Sequence, residues 1–298
     1  MQALIAFLPI LLIGILMVGF SWPSSKAMPV GFVAAAAIAF FGWNMPVIHL
    51  GAASLGGVMN ALDILIIVFG ALLILQLMKK SGGMAGISRS MSGISPDKRV
   101  QLLIIAWLMG SFLEAAAGFG TPAAVAAPLL VGLGFPPLIA VLVTLIADST
   151  AVTFGAVGVP IWGGFEAIQS MVSLPVLASG SQMSFAQFLQ SIGAFSALLH
   201  LIIGTFVPLV IVALTTKISE ASFKKGLAVW PLALFAGVVF TVPQFLIALF
   251  VGPELPSLLG ALIALPIFIF AVSKGFLVPK DTWNFPAHEN WPKEWEGS

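Results

Sequence analysis

Long apolar runs alternate with short polar stretches along the chain. Ala3–Phe20 and Ile64–Met78 contain no charged residue. About eighteen to twenty helical residues, rising 1.5 Å each, cross a hydrocarbon core of about 30 Å. The pattern predicts an all-α polytopic membrane protein with about seven transmembrane helices, roughly 2–20, 27–43, 60–78, 136–160, 189–214, 227–250 and 256–273. Barrel strands would instead read as segments of about ten residues with alternating polarity. The first run has no basic residue before it and is long for a signal peptide, so it reads as a retained span.

Charge then orients the spans. All twelve Lys and Arg residues fall in alternate loops: Lys26; then Lys79, Lys80, Arg89, Lys98 and Arg99; then Lys217, Lys224 and Lys225; then Lys274, Lys280 and Lys293. The loops 44–59, 161–188 and 251–255 carry none. Because cationic loops stay on the cytoplasmic side, the N-terminus is expected outside and the C-terminus in the cytoplasm. Trp22, Trp43, Trp162 and Trp230 lie near the ends of apolar runs, where interface anchors belong. The loop 161–188 has room for a helix on the outer surface, and Asp63 reads as a helix-start acid. The tail "PKDTWNFPAHENWPKEWEGS" is polar and Pro-rich and reads as a cytoplasmic linker over 276–298, cut short, after a transmembrane domain over 1–275.

The segment 100–134 departs from a plain span. Two apolar arms, Val100–Leu113 and Pro122–Gly134, flank a break at Ala115–Thr121. Either both arms cross or neither does. The second arm, at about 1.5 Å per residue, reaches only about 20 Å, which favours a re-entrant helical hairpin entering from the cytoplasm. Irregular backbone at that depth is tolerated only where it is buried in protein or lines a watery cavity. Thr121 reads as the N-cap of a new helix and Pro122 as its first residue. Gly118 and Gly120, flanking Phe119, let the backbone turn and approach a ligand. The free N–H groups of such a helix start form an anion site.

A second break follows in "LIADSTAVTFGAVGVPIW", where Asp148, Ser149, Thr150 and Thr153 precede Gly155. Hydroxyls, a carboxyl and loosened backbone suit a small polar ligand. Glu114 and Asp148 are acids well inside apolar segments, where a charge costs several kcal/mol. They read as proton carriers or substrate ligands, or else as neutral hydrogen-bonded structural carboxyls. The glycine break could equally serve close helix packing, and the Ser and Thr hydroxyls could bond their own helix carbonyls. His49 and His200 have no metal-spaced partner and read as packed or hydrogen-bonded side chains.

Composition narrows the classes further. The 298 residues are 60% hydrophobic and 8% charged, against about 25% charged in soluble domains. The net charge of +1 is uninformative, no nucleic-acid partner is expected, and the absence of Cys removes disulfides and thiolate metal sites. No His-Glu-x-x-His or Gly-x-Ser-x-Gly run is present and Tyr is absent, which argues against an intramembrane hydrolase. No metal or cofactor is called for.

"GSFLEAAAGFGTPAAVAAPLLVGLGF" at 110–135 resembles the signature of the L-lactate permease family, proton-coupled carriers of lactate and glycolate. "SGISPDKR" at 92–99, "FGAVGVPI" at 154–161 and "GPELPSLLG" at 252–260 resemble further motifs of that family, in order. The resemblance implies a carrier of 2-hydroxymonocarboxylates in the plasma membrane, built from two inverted halves with a hairpin in each. Family members are about twice as long, so the chain resembles the N-terminal half, to be joined by a C-terminal half or by another copy. By that resemblance Glu114 and Asp148 serve proton coupling. Gly118, Phe119, Gly120, Thr121, Ser149, Thr150, Thr153 and Gly155 would meet lactate or glycolate. A non-transporting fragment, or a sodium-coupled carrier of another small organic anion, are the alternatives. Asp148 stands where some members are expected to carry Asn.

Overall fold

The computed structural model describes residues 2–83, 86, 93–118, 120–166, 169–172 and 183–296. The chain forms two compact units, 1–69 and 70–298. In the first, helices α1 (Gln2–Gly14) and α2 (Ser24–Ala37) pack together and each runs on into a wider π-type turn, Ile15–Gly19 and Ile38–Gly42. Gly31 makes their approach possible, because a Cβ there would run into the Ile13 side chain. Helix α3 (Val47–Lys80) begins in this unit. The stretch 47–59, expected as part of an outer loop, is therefore helical, and Asp63 lies well inside a helix instead of at its start. The stretch contains no proline, and its Gly56–Gly57 pair lies inside the helix without ending it.

The second unit is organised around α4 (Lys98–Ala117), with a π-type stretch at Leu103–Met109. Its residues Val100 and Leu102–Leu108 are buried, which suits a helix that is apolar all round. Trp107 anchors it: the indole N–H donates to the Ala236 carbonyl at 2.9 Å, and its ring meets Phe240 edge-on at 5.4 Å. Helix α5 (Thr121–Gly132) folds back along α4. Helix α6 (Pro137–Ala147) and helix α7 (Gly155–Phe165) form a pair bent by 62°. After the short helix Gln169–Val172 come α8 (Phe185–Ile202), α9 (Val207–Glu220), α10 (Trp230–Phe250) and α11 (Pro256–Ser273).

Among the described residues five helices are long and apolar enough to cross a membrane, or six if the bent pair counts as one span. About seven were expected. Leu4–Gly19 and Thr121–Gly132 fall among the shorter apolar helices, whereas Lys98–Ala117 has the length of a full span. The first hairpin arm is thus longer than Val100–Leu113, because Glu114–Ala117 continue its helix. Lys98 Nζ donates to the Leu133 carbonyl, so the start of α4 and the end of α5 lie together at one end.

That end gathers three cationic loops. Arg99, 1% exposed, pairs with Asp97 at 2.7 Å and donates to the carbonyls of Lys225 and Asp281. Asp97 also caps α4 by accepting from the Arg99 N–H, and accepts from the Trp283 N–H. At the other end Pro253 packs against Gly158 and Gly193, joining segments whose loops carry no cation. The segment 276–296, expected to read as a polar linker, is docked. Trp283 and Trp295 are buried, and Phe285 lies edge-on to both Phe135 and Trp283. Its aromatic residues cover apolar helix ends that its polar composition conceals.

Candidate functional site

The first break is made by glycine backbone. Helix α4 ends at Ala117, and Gly118 takes φ +69°, ψ −162°, a conformation essentially restricted to glycine. Gly120 is left-handed at φ +74° and is the N-cap of α5. Thr121, expected as the N-cap, is instead the first helical residue; its hydroxyl donates to the Gly118 carbonyl and so does not cap. The cap acceptor comes from the preceding helix: Glu114 Oε2 accepts from the Gly120 N–H at 3.1 Å. The positive dipole end of α5 is thus already met by a carboxyl that is 1% exposed. Gly155 closes the other side, because a Cβ there would stand 2.7 Å from Glu114 Oε1.

The second break runs from Asp148 to Gly158. Two 3-10 turns, Asp148–Thr150 and Val152–Phe154, end α6. Ala156, Val157 and Gly158 then follow at φ +43°, +56° and +81°. Left-handed backbone costs a non-glycine residue about 1–2 kcal/mol, most for a β-branched one, so surrounding contacts must hold it. They do. A Cβ on Gly118 would come within 2.7 Å of the Ala156 Cβ, and one on Gly158 within 2.6 Å of the Pro253 carbonyl oxygen. The segments 110–135, 154–161 and 252–260, far apart in the chain, interlock at glycines.

The carbonyls freed by the second break are satisfied from α10 and α11. Gln244 Nε2 donates to the Thr150 carbonyl at 3.1 Å and to Ser257 Oγ at 3.0 Å; Ser257 Oγ donates to the Ala151 carbonyl at 3.1 Å. Gln244 and Ser257 are fully buried. Neither was singled out from the sequence, although a Gln in the apolar run 230–250 was a visible signal. The Ala151 carbonyl keeps a bond from the Phe154 N–H, so Ser257→Ala removes its second donor and one acceptor of the buried Gln244 amide; the expected cost is about 1 kcal/mol, read as a lower unfolding temperature in detergent.

Ser149, Thr150 and Thr153 border a cavity of about 380 Å³, completed by Ser196, His200 and Gly204 from α8 and the turn after it. His200 Nε2 lies 3.3 Å from Thr153 Oγ1. Asp148 adjoins both places: it precedes Ser149, and its carboxyl is within electrostatic range of Glu114. The structure therefore groups Glu114, Gly118, Gly120 and Gly155 around one carboxyl, and the hydroxyls around a neighbouring cavity. Gly155 stands as the wall behind Glu114. Phe119 lies outside the described residues. Among the described residues no group of three or more His, Cys, Asp or Glu could hold a metal ion.

The two glycines of the first break should respond differently to alanine. Gly118→Ala meets both a glycine-only conformation and the Ala156 contact, and is expected to cost about 3 kcal/mol or more. Gly120→Ala has open space around the new Cβ and should cost only the left-handed penalty, about 1 kcal/mol. Thermal unfolding of the two variants in detergent checks the order.

Long apolar helices, with two breaks lined by buried polar groups, define a multi-pass helical membrane protein. The L-lactate permease family profile matches residues 2–296, and the chain belongs to that family. It is 35% identical over 244 residues to an L-lactate permease of Bacillus subtilis, an alignment covering 80% of this chain and 38% of that protein. It is 34% identical over 273 residues to an L-lactate permease of Streptococcus iniae, covering 91% and 53%. It is 33% identical over 266 residues to the glycolate permease GlcA of Escherichia coli, covering 89% and 44%. The chain spans about half the length, or less, of these relatives. No solved structure matches it.

Proposed function

We propose that the chain carries out secondary transport of lactate, glycolate and related 2-hydroxymonocarboxylates across the plasma membrane, each anion moving with a proton. The names of its relatives support the substrate class. The observation that carries the coupling is the bond from the Gly120 N–H to the buried Glu114 carboxyl. As an anion, Glu114 occupies the helix start. Protonation makes it a weaker acceptor, and the Gly120 N–H becomes free for a substrate carboxylate. One negative charge at the tip replaces another, so the site stays near constant charge through the cycle. Asp148, close to Glu114, is the second carboxyl through which the proton passes. The N-terminus lies outside and the C-terminus in the cytoplasm, and residues 1–275 form one half of an inverted-repeat carrier.

Proteoliposomes containing the chain, loaded at alkaline pH and placed in acidic medium with labelled lactate, test this reading. Accumulation that a protonophore abolishes and a sodium gradient does not replace is the expected result. Sodium-driven uptake would sink proton coupling. A part that does not transport alone is the alternative reading. Absence of uptake by a demonstrably folded chain would select it.

A further inference from the structure

Ala236, Phe240 and Gln244 form one buried stripe on α10, and that stripe holds both elements of the carboxyl pair. Trp107 of α4 donates to the Ala236 carbonyl and its ring meets Phe240. This fixes the helix that carries Glu114 about two turns further on. Gln244, about 12 Å along α10 from Ala236, takes hold of the second break. Both hydrogens of its amide are used, one on the Thr150 carbonyl and one on Ser257 Oγ. Ser257 extends the restraint to the Ala151 carbonyl, and the Ala151 N–H donates to the Asp148 carbonyl at 3.0 Å. The turn that carries Asp148 is therefore bolted to α10 and α11 at successive peptide groups. Gly260 brings α11 close enough for this, since a Cβ there would stand 3.3 Å from the Gln244 backbone nitrogen. From α8, His200 interacts with the Gln244 side chain and lies against Thr153.

A buried amide in an apolar helix costs stability unless it is bonded. Here its bonds fall on the carbonyls that follow directly on Asp148. Among the described residues, the charged group acting on the Asp148 carboxyl is Glu114. Two carboxylates repel, so they stay close only where the backbone holds them. Resting on the proposed proton coupling through Glu114 and Asp148, we infer that Gln244 is a positioning residue for that coupling. With Ser257 it fixes Asp148 against Glu114 from the same helix that fixes α4. It acts through the turn, without contact with the proton or the substrate.

The test is a pH titration of the carboxyl infrared bands of the full chain purified in detergent, with Glu114→Gln and Asp148→Asn identifying the bands of the pair. Two interacting carboxyls titrate in two separate steps that belong to the pair. Gln244→Met keeps the length of the side chain and removes its donors. The freed turn lets the carboxyls move apart, so the two steps should draw together by about one pH unit. In proteoliposomes the same variant should still exchange lactate but lose accumulation driven by a pH gradient by about tenfold. Ser257→Ala loses only part of the clamp and should move both readouts the same way by less, which keeps the test open if Gln244→Met does not fold. Gly226→Ala is the control for lost stability, because its Cβ would stand 2.6 Å from the Ala213 Cα. It should lower the unfolding temperature and leave the steps as in wild type. Wild-type spacing of the steps in folded Gln244→Met and Ser257→Ala overturns the inference and leaves the transport reading standing. Equal movement of the steps in Gly226→Ala overturns it as well. Folded wild type that accumulates no lactate overturns the transport reading and the inference with it.

Discussion

A Glu114→Gln carrier is expected to bind and exchange lactate yet to lose uphill accumulation driven by a pH gradient. Gln has the shape of protonated Glu, and its carbonyl can still accept weakly from the Gly120 N–H. Replacing a charged acceptor by a neutral one removes about 1–2 kcal/mol of competition at the helix start, about a tenfold effect on anion binding. The pH dependence gives the sharper readout. If substrate binds the form in which Glu114 carries a proton, lactate affinity falls as pH rises, by about tenfold per pH unit for one coupled proton. The same linkage requires lactate to raise the affinity for the proton. In the variant no proton is taken up at this position, so the slope should flatten while exchange persists. Wild-type slope and full accumulation in Glu114→Gln would remove Glu114 from proton coupling.

Arg99→Met is expected to produce the largest loss of stability. The guanidinium is buried, paired with Asp97, and donates to carbonyls of two further segments, at Lys225 and Asp281. Removing it strands the Asp97 carboxylate, which is itself 3% exposed. Breaking a buried pair in this way costs about 3–5 kcal/mol. Two consequences separate this from a loss of packing. Adding Asp97→Asn should recover part of the stability, because Asn still caps α4 and accepts from Trp283 without an unpaired charge. The segment 276–296 should also become susceptible to limited proteolysis, since Arg99 and Asp97 hold it at Asp281 and Trp283. An unchanged unfolding temperature and an equally protected tail would rule out the role of this pair as a latch.

Much of the architecture was legible in residue patterns. Apolar runs, breakers and cationic loops are local signals, and they located most helices, both breaks and the loop ends that gather around Arg99. Local signals also misled. The stretch 47–59 reads as a loop by its weak helix pattern and its Gly56–Gly57 pair, yet the helix runs through both glycines. Thr121 had the chemistry of a cap, but Gly120 turned the backbone so that Glu114 arrived first. The polar composition of 276–296 concealed four aromatic residues, Trp283, Phe285, Trp291 and Trp295, that pack on helices far away in sequence.

By itself the sequence determined that this is a helical membrane protein, where its helices break, and that Glu114 and Asp148 stand beside those breaks. Only the tertiary structure decided what each polar group meets. Gln244 and Ser257 reach the carbonyls of Thr150 and Ala151 from about a hundred positions away, and His200 reaches Thr153 from another helix. Periodicity and turn chemistry act over a few residues, so they specify where a backbone group is set free. Which side chain then satisfies it depends on how separate helices pack, and that packing rests here on glycines whose missing Cβ atoms let the breaks interlock.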